Sequence, residues 1–147
     1  MAIRLNVPLI TQNQTNSCWY AAACMVAYFR KPGPRKGLPN KWIINNGILT
    51  TEILKLAKSE GLNTIHTTDS NFTEKQLESF LKLKGPIWCA GKWDNVGHVV
   101  VLTGIENGLV YLNDPNPAKR RRVETLDWFN EKIFKGQNGM MYMPLVS

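Results

Sequence analysis

The run Val99-Val100-Val101-Leu102, followed by Glu106-Asn107-Gly108 and then Leu109-Val110-Tyr111-Leu112, constrains the folding of this chain more than any other stretch. Asn-Gly between two β-rich segments is the pair a type I′ turn demands, because both central positions need φ above zero. The segments His98 to Ile105 and Leu109 to Asn113 are therefore expected to pair as antiparallel strands. Such a hairpin brings the start of its first strand and the end of its second to one edge. His98 stands at that start and Asn113-Asp114-Pro115 at that end, so an imidazole and a carboxylate converge. Counted from the turn, His98 lies a few residues further out than Asp114, so contact requires a bulge or a twist in the ladder. Asn113 points to the other face and is the alternative to Asp114.

A second constraint comes from Cys18. It opens the helix-like run Trp19 to Phe29, with the small residues Ala21-Ala22-Ala23 first and Met25, Tyr28 and Phe29 later. A helix N-terminus carries unpaired N–H groups and about half a positive charge, a setting that favours a thiolate. Small residues in the first turns let the helix lie close against another element. Gln12, six positions earlier, carries a side-chain amide that, with the Cys18 backbone N–H, supplies the two donors of an oxyanion hole; Gln14 is its rival. A cysteine nucleophile needs a base, and the chain has only two histidines, His66 and His98. His66 sits among polar neighbours and reads as a surface residue. His98 borders a buried strand, beside Gly97, which is expected to permit close backbone approach. Asp114 is the candidate to orient the imidazole.

Gln12, Ser17-Cys18-Trp19 on a helix, Gly97-His98 before an apolar strand and Asn113-Asp114-Pro115 after a hairpin together resemble the papain-like cysteine peptidases. The likeness is to compact bacterial branches: double-glycine leader peptidases, type III effector proteases of plant pathogens, and papain-fold toxin modules. It covers Val7 to Trp19 and Gly85 to Pro115. His98 follows Cys18 by 80 residues, where the larger papain and cathepsin enzymes have roughly 130 to 150, so a minimal domain is expected.

The resemblance implies thiol acyl transfer on a protein or peptide substrate without a cofactor. It further implies a secreted bacterial effector or toxin, held in check by a cognate immunity protein and active in the cytoplasm of a target cell. Amidase, deamidase or transglutaminase-like chemistry, cell-wall peptide hydrolysis, and a catalytically silent binding module are the alternatives. Trp19, next to the sulfur in sequence, and Trp93, in the polar loop Gly91 to Val96, are expected to line the substrate cleft.

Composition agrees with one domain over residues 1–147, in which a chain of this length buries roughly two thirds of its unfolded surface. Three cysteines without a Cys-x-x-Cys pair argue against a disulfide framework and against a zinc site. Cys24 and Cys89 read as packed core thiols. No apolar stretch approaches 18 residues and no charged-then-apolar leader opens the chain, so neither a membrane span nor a general secretory signal is expected, and export would use a specialised system. Cys18 lies so near residue 1 that no inhibitory pro-segment is expected before it. The net charge of +7 and the run Lys119-Arg120-Arg121-Arg122 raise the question of nucleic acid. No aromatic platform interleaves these charges, and edge strands commonly carry charge to block aggregation, so a solvated edge is expected ahead of an acidic partner and direct nucleic-acid binding is disfavoured.

Punctuation sets the remaining order. An extended lead-in, Ile3 to Ile10, precedes the Cys18 helix, and a proline-broken basic loop, Lys31 to Gly37, follows it. Helices are expected over Thr51 to Lys58 and after Asn71-Phe72-Thr73-Glu74, the latter with Leu77, Phe80, Leu81 and Leu83 inward. Strands Ile87 to Gly91, Arg120 to Glu124 and Met140 to Pro144 join the hairpin, with a short helix over Thr125 to Phe134. Helices first and antiparallel strands after make the α+β class, with the nucleophile helix packed on an antiparallel sheet.

Overall fold

The computed structural model describes residues 3–12, 18–30, 55, 61–95, 97–135 and 139–144. The helix expected over Thr51 to Lys58, the loop Lys31 to Gly37 and Gln14 lie outside the described residues, apart from helical Lys55. The described elements are β1 (Ile3–Arg4), α1 (Cys18–Arg30), β2 (Asn63–Thr64), α2 (Glu74–Lys84), β3 (Ile87–Gly91), β4 (His98–Glu106), β5 (Leu109–Asn113), β6 (Arg121–Thr125), α3 (Leu126–Lys132) and β7 (Met140–Tyr142). The strands form one antiparallel sheet in the order β2-β7-β3-β4-β5-β6, with β1 paired to β4. This is the α+β arrangement expected, with α1 on the sheet.

Both faces of the sheet's centre are covered. Trp19, Ala22, Ala23, Met25 and Val26 of α1 pack with Trp88, Ala90, Val99, Val101 and Met141. The alternate strand residues, Ile87, Cys89, Val100, Leu102 and Met140, pack with Leu77 and Leu81 of α2 and Phe129 of α3. Burial on two sides explains why β3 and β4 read as continuous apolar runs, not as alternating ones. The small residues of α1 serve the close approach expected of them: Ala22 and Ala23 are fully buried.

Helix α2 begins with a capping box, Thr73 accepting from the Gln76 N–H and the Gln76 side chain accepting from the Thr73 N–H. Each such cap contributes about 1 kcal/mol. Buried Asn130 of α3 then clasps the entry to α2, accepting from the Phe72 N–H at 2.7 Å and donating to the Phe72 carbonyl at 2.9 Å. Leu83, expected inward, is 73% exposed, because the apolar stripe of α2 runs through Leu77 and Leu81 and leaves position 83 on its outer side.

The hairpin turn has positive φ at both Asn107 (51°) and Gly108 (76°), as the Asn-Gly pair requires. Between it and the sheet edge the ladder slips. Glu106 pairs with Leu109 and Gly104 with Tyr111, but Leu102 pairs with Leu112 and Val101 with Asn113, so Thr103 is the extra residue of a β-bulge. The Thr103 hydroxyl donates to the Tyr111 carbonyl at 3.1 Å.

Glycine matters for packing on the strand before His98, not beside it as expected. A Cβ on Gly91 would lie 2.6 Å from the Lys132 carbonyl oxygen and 2.8 Å from the Trp93 ring, whereas a Cβ on Gly97 would meet nothing within 4 Å. Gly91→Ala is therefore expected to destabilise the protein by about 1–3 kcal/mol, and Gly97→Ala to leave its stability within about 0.5 kcal/mol. Urea unfolding of the two variants separates these outcomes.

Candidate active site

At the open end of the hairpin, His98 Nε2 lies 2.6 Å from Asp114 Oδ1. The bulge makes this pairing possible. Strand side chains alternate between faces, so an unbroken ladder from the Glu106–Leu109 pair would set Asn113 on the face of His98. The extra residue at Thr103 reverses that parity and turns Asp114 to the imidazole. Asn113 goes to the opposite face, where it is buried, donates to the Val7 carbonyl at 3.2 Å and accepts from Arg121 at 3.2 Å. It secures the N-terminal segment.

That segment and α1 deliver the remaining candidates. The Gln12 N–H donates to the Pro115 carbonyl at 2.8 Å, which brings Gln12's backbone next to the turn that carries Asp114. Cys18 is the first residue of α1 and half-buried. The Trp88 indole N–H donates to the Trp19 carbonyl at 3.0 Å and so pins the first turn of the helix to β3. Cys18 lies within hydrogen-bonding reach of His98. Because Nε2 is taken by Asp114, the ring nitrogen left for the sulfur is Nδ1. Cys18, His98 and Asp114 thus meet in series, from three parts of the chain, with the imidazole in the middle.

Electrostatics follow from that order. Burial is the largest influence on His98 and disfavours its charged form. The hydrogen bond to Asp114, the hydrogen bond to Cys18 and the negative charge of both partners outweigh it and push the imidazole up to about 9. Burial likewise opposes the charge on Asp114, which is wholly inaccessible. His98, the Asn116 N–H and Arg122 together nevertheless hold its carboxyl below the ordinary value. A histidine raised on folding binds a proton that the unfolded chain releases between pH 6.5 and about 9. Its contribution to stability is full below pH 6.5 and is lost as pH rises through about 9. Thermal unfolding from pH 6 to 10 is expected to show this decline in the wild type and to lose most of it in His98→Ala.

Two expected cleft walls are not walls. Trp19 and Trp93 are 0% and 1% exposed. Trp19 is held in the core under α1. Trp93 donates its indole N–H to the Cys89 carbonyl at 3.2 Å and stacks on Phe129, its ring centroid 5.3 Å away. An aromatic inside a short polar loop is drawn inward when a neighbouring helix supplies a stacking partner. Cys24 and Cys89 are buried core residues, and burial pushes the Cys89 thiol up. His66 is exposed. Among the described residues no group of His, Cys, Asp or Glu side chains is arranged to hold a metal ion, and no helix is long and apolar enough to cross a membrane.

Arg122 is the residue that sequence reasoning missed. It was expected on a solvated edge, but its side chain is only 11% exposed and its NH1 lies 2.8 Å from Asp114 Oδ2. The available signal was alternation: Arg122 pairs with Leu112, so it shares the face on which the next even position of that strand, Asp114, presents its carboxylate.

The chain resembles known proteins along nearly its whole length. The family model described as papain-like cysteine protease AvrRpt2 matches residues 1–134. Among solved structures, a double glycine motif protease from an AMS/PCAT transporter, in complex with its leader peptide, is 22% identical. It aligns with 94% of this chain and 90% of its own at a TM-score of 0.61. The peptidase domain of Streptococcus ComA, a bi-functional ABC transporter involved in quorum sensing, is 20% identical over 90% of this chain and 93% of its own, with a TM-score of 0.64. These structures share the fold. The extent of the family match assigns the chain: it belongs to the papain-like cysteine protease AvrRpt2 family and is a thiol-dependent peptide hydrolase.

Proposed function

We propose that Cys18, His98, Asp114 and Gln12 perform the peptidase reaction and that the target is a protein of another cell. The Cys18 thiolate attacks the scissile carbonyl carbon, while the Cys18 N–H and the Gln12 side-chain amide donate to the oxygen that gains charge. The His98 imidazolium gives its proton to the leaving amine as the C–N bond breaks, leaving a thioester on Cys18 and a neutral ring. Water then loses a proton to His98 and its oxygen attacks the thioester. The acid product leaves, and the thiolate–imidazolium pair is restored. Asp114 holds the ring and offsets its charge throughout. The observation that carries this reading is the placement of His98 between the sulfur and the carboxylate, 2.6 Å from the latter.

The role of a secreted effector or toxin module, restrained in its producer by an immunity protein, draws support from the motif likeness of Gln12, Ser17-Cys18-Trp19, Gly97-His98 and Asn113-Asp114-Pro115 to effector proteases. A net charge of +7 favours acidic targets. The test is proteome-wide identification of new protein N-termini in cells exposed to the wild type or to Cys18→Ala. New termini confined to the wild-type sample support the reading, and identical samples refute it. Harmless high-level expression of the wild type in bacterial and in plant cytoplasm would remove the toxin role.

A further inference from the structure

Arg122 spends every donor it has. Its Nε and NH2 donate to Glu124 Oε2 at 3.2 and 2.7 Å, NH2 also to Asp94 Oδ1 at 3.2 Å, and NH1 to Asp94 Oδ2 at 3.1 Å and Asp114 Oδ2 at 2.8 Å. A guanidinium has five N–H groups, and five bonds are made. One face of the group lies over the Trp128 ring, 5.0 Å from its centroid. The three carboxylates come from different places: Asp94 from the loop before His98, Asp114 from the end of β5, and Glu124 from β6 itself.

We propose that Arg122 is a positioning residue for catalysis: by holding Asp114 Oδ2 it presents Oδ1 to His98, and by holding Asp94 it locks the loop that precedes His98 to the same carboxylate. A carboxylate on a short side chain rotates about its terminal torsion with little resistance. Asp114 Oδ1 already takes His98 Nε2 and the Asn116 N–H, the latter at 2.9 Å, so the second oxygen is the remaining handle by which its plane can be set. Arg122 supplies that handle from a site that is itself clamped on both edges and one face. Asp94 and Glu124 balance the added positive charge, so Asp114 retains its pull on the imidazolium. Lysine cannot substitute, having three donors on a mobile stem instead of a planar fork.

The proposal rests on the catalytic assignment of His98 and Asp114, which cleavage by His98→Ala tests, whereas a titration of His98 tests the inference itself. The chain has two histidines, one exposed and one half-buried in the site, so ¹³C-labelled imidazole signals resolve them by NMR. In the wild type His98 is expected to titrate at about 9, and peptide cleavage at a near-wild-type rate by a folded His98→Ala would overturn the catalytic assignment, and this inference with it. In Arg122→Gln a positioning role lowers the midpoint by about one pH unit or more, a tenfold or larger loss of imidazolium stabilisation. A guanidinium acting only as a nearby positive charge predicts the reverse, because its removal strengthens the pull of Asp114. An unchanged or raised midpoint in a folded Arg122→Gln therefore overturns the inference alone.

Arg122→Lys should also fall, by less. Asp94→Asn, altered at a carboxylate that is one-third exposed, serves if Arg122→Gln does not fold. It weakens two of the five bonds and, apart from the lowering of the His98 midpoint that losing a nearby negative charge brings by itself, is expected to lower kcat several-fold with KM within twofold, and a wild-type kcat there overturns the proposal. On peptide cleavage, Arg122→Gln is expected to lower kcat about tenfold with KM within twofold, since the network touches the base and not the substrate.

Discussion

Cys18→Ala is expected to reduce peptide cleavage by a factor on the order of 10⁴ or more, with an unfolding midpoint close to that of the wild type. The loss is large because in the proposed mechanism the sulfur forms the covalent intermediate, and neither the imidazole nor the oxyanion donors can replace it. Stability should change little, because Cys18 is half-buried at a helix start and the replacement keeps Cβ. The anchor of that first turn, the Trp88 indole on the Trp19 carbonyl, is backbone-directed and survives. The variant also removes the negative partner from one side of His98, so the imidazole midpoint should fall from about 9. Cleavage by a folded Cys18→Ala at a rate near wild type would end the assignment of Cys18 as nucleophile.

Asp114→Asn is expected to cost 10²- to 10³-fold in kcat and about 1–3 kcal/mol in stability, although the change is isosteric. The reason is a count of donors. Asp114 Oδ1 accepts from His98 Nε2 and the Asn116 N–H, and Oδ2 accepts from Arg122. An amide has one acceptor and one NH2 group. Turned one way, its NH2 faces the guanidinium; turned the other, it faces the imidazole N–H. Either orientation leaves buried donors opposed at a position with no access to water. An amide can orient an imidazole in other surroundings, and here Arg122 forbids it. The clash should therefore ease in the Arg122→Gln background, where the added glutamine oxygen can accept from the amide. A double-mutant cycle on stability should show coupling above about 1 kcal/mol. Additive effects would show that the two side chains act independently.

Much of the fold was legible because local rules and tertiary packing agree. Asn107-Gly108 called for a turn with two positive φ values and produced it. The apolar runs of β3 and β4 were recognisable as buried strands, and Thr73 with Gln76 as a helix start. Where sequence reading failed, the outcome depended on a neighbour far along the chain. Trp93 lies in a polar loop but turns inward because Phe129 and Trp128 of α3 stand beside it. The two-residue strand β2 has no pattern of its own and exists through pairing with β7.

From residue types and spacing alone came the members of the candidate site: a cysteine where a helix begins, a histidine where a buried strand begins, and an acid or amide where the hairpin ends. The choice between Asn113 and Asp114 was not in that pattern. It belongs to one bulged residue, Thr103, which shifts the ladder by a single position and so exchanges the faces of everything beyond it. The place of Arg122 was likewise invisible in a run of basic residues. Strand alternation and three carboxylates from separate segments draw one of those charges inward, beneath the carboxylate that steadies the imidazole. Periodicity reports which face a residue prefers within its own element; which residues share that face across elements is set by register, and register is a property of the folded sheet.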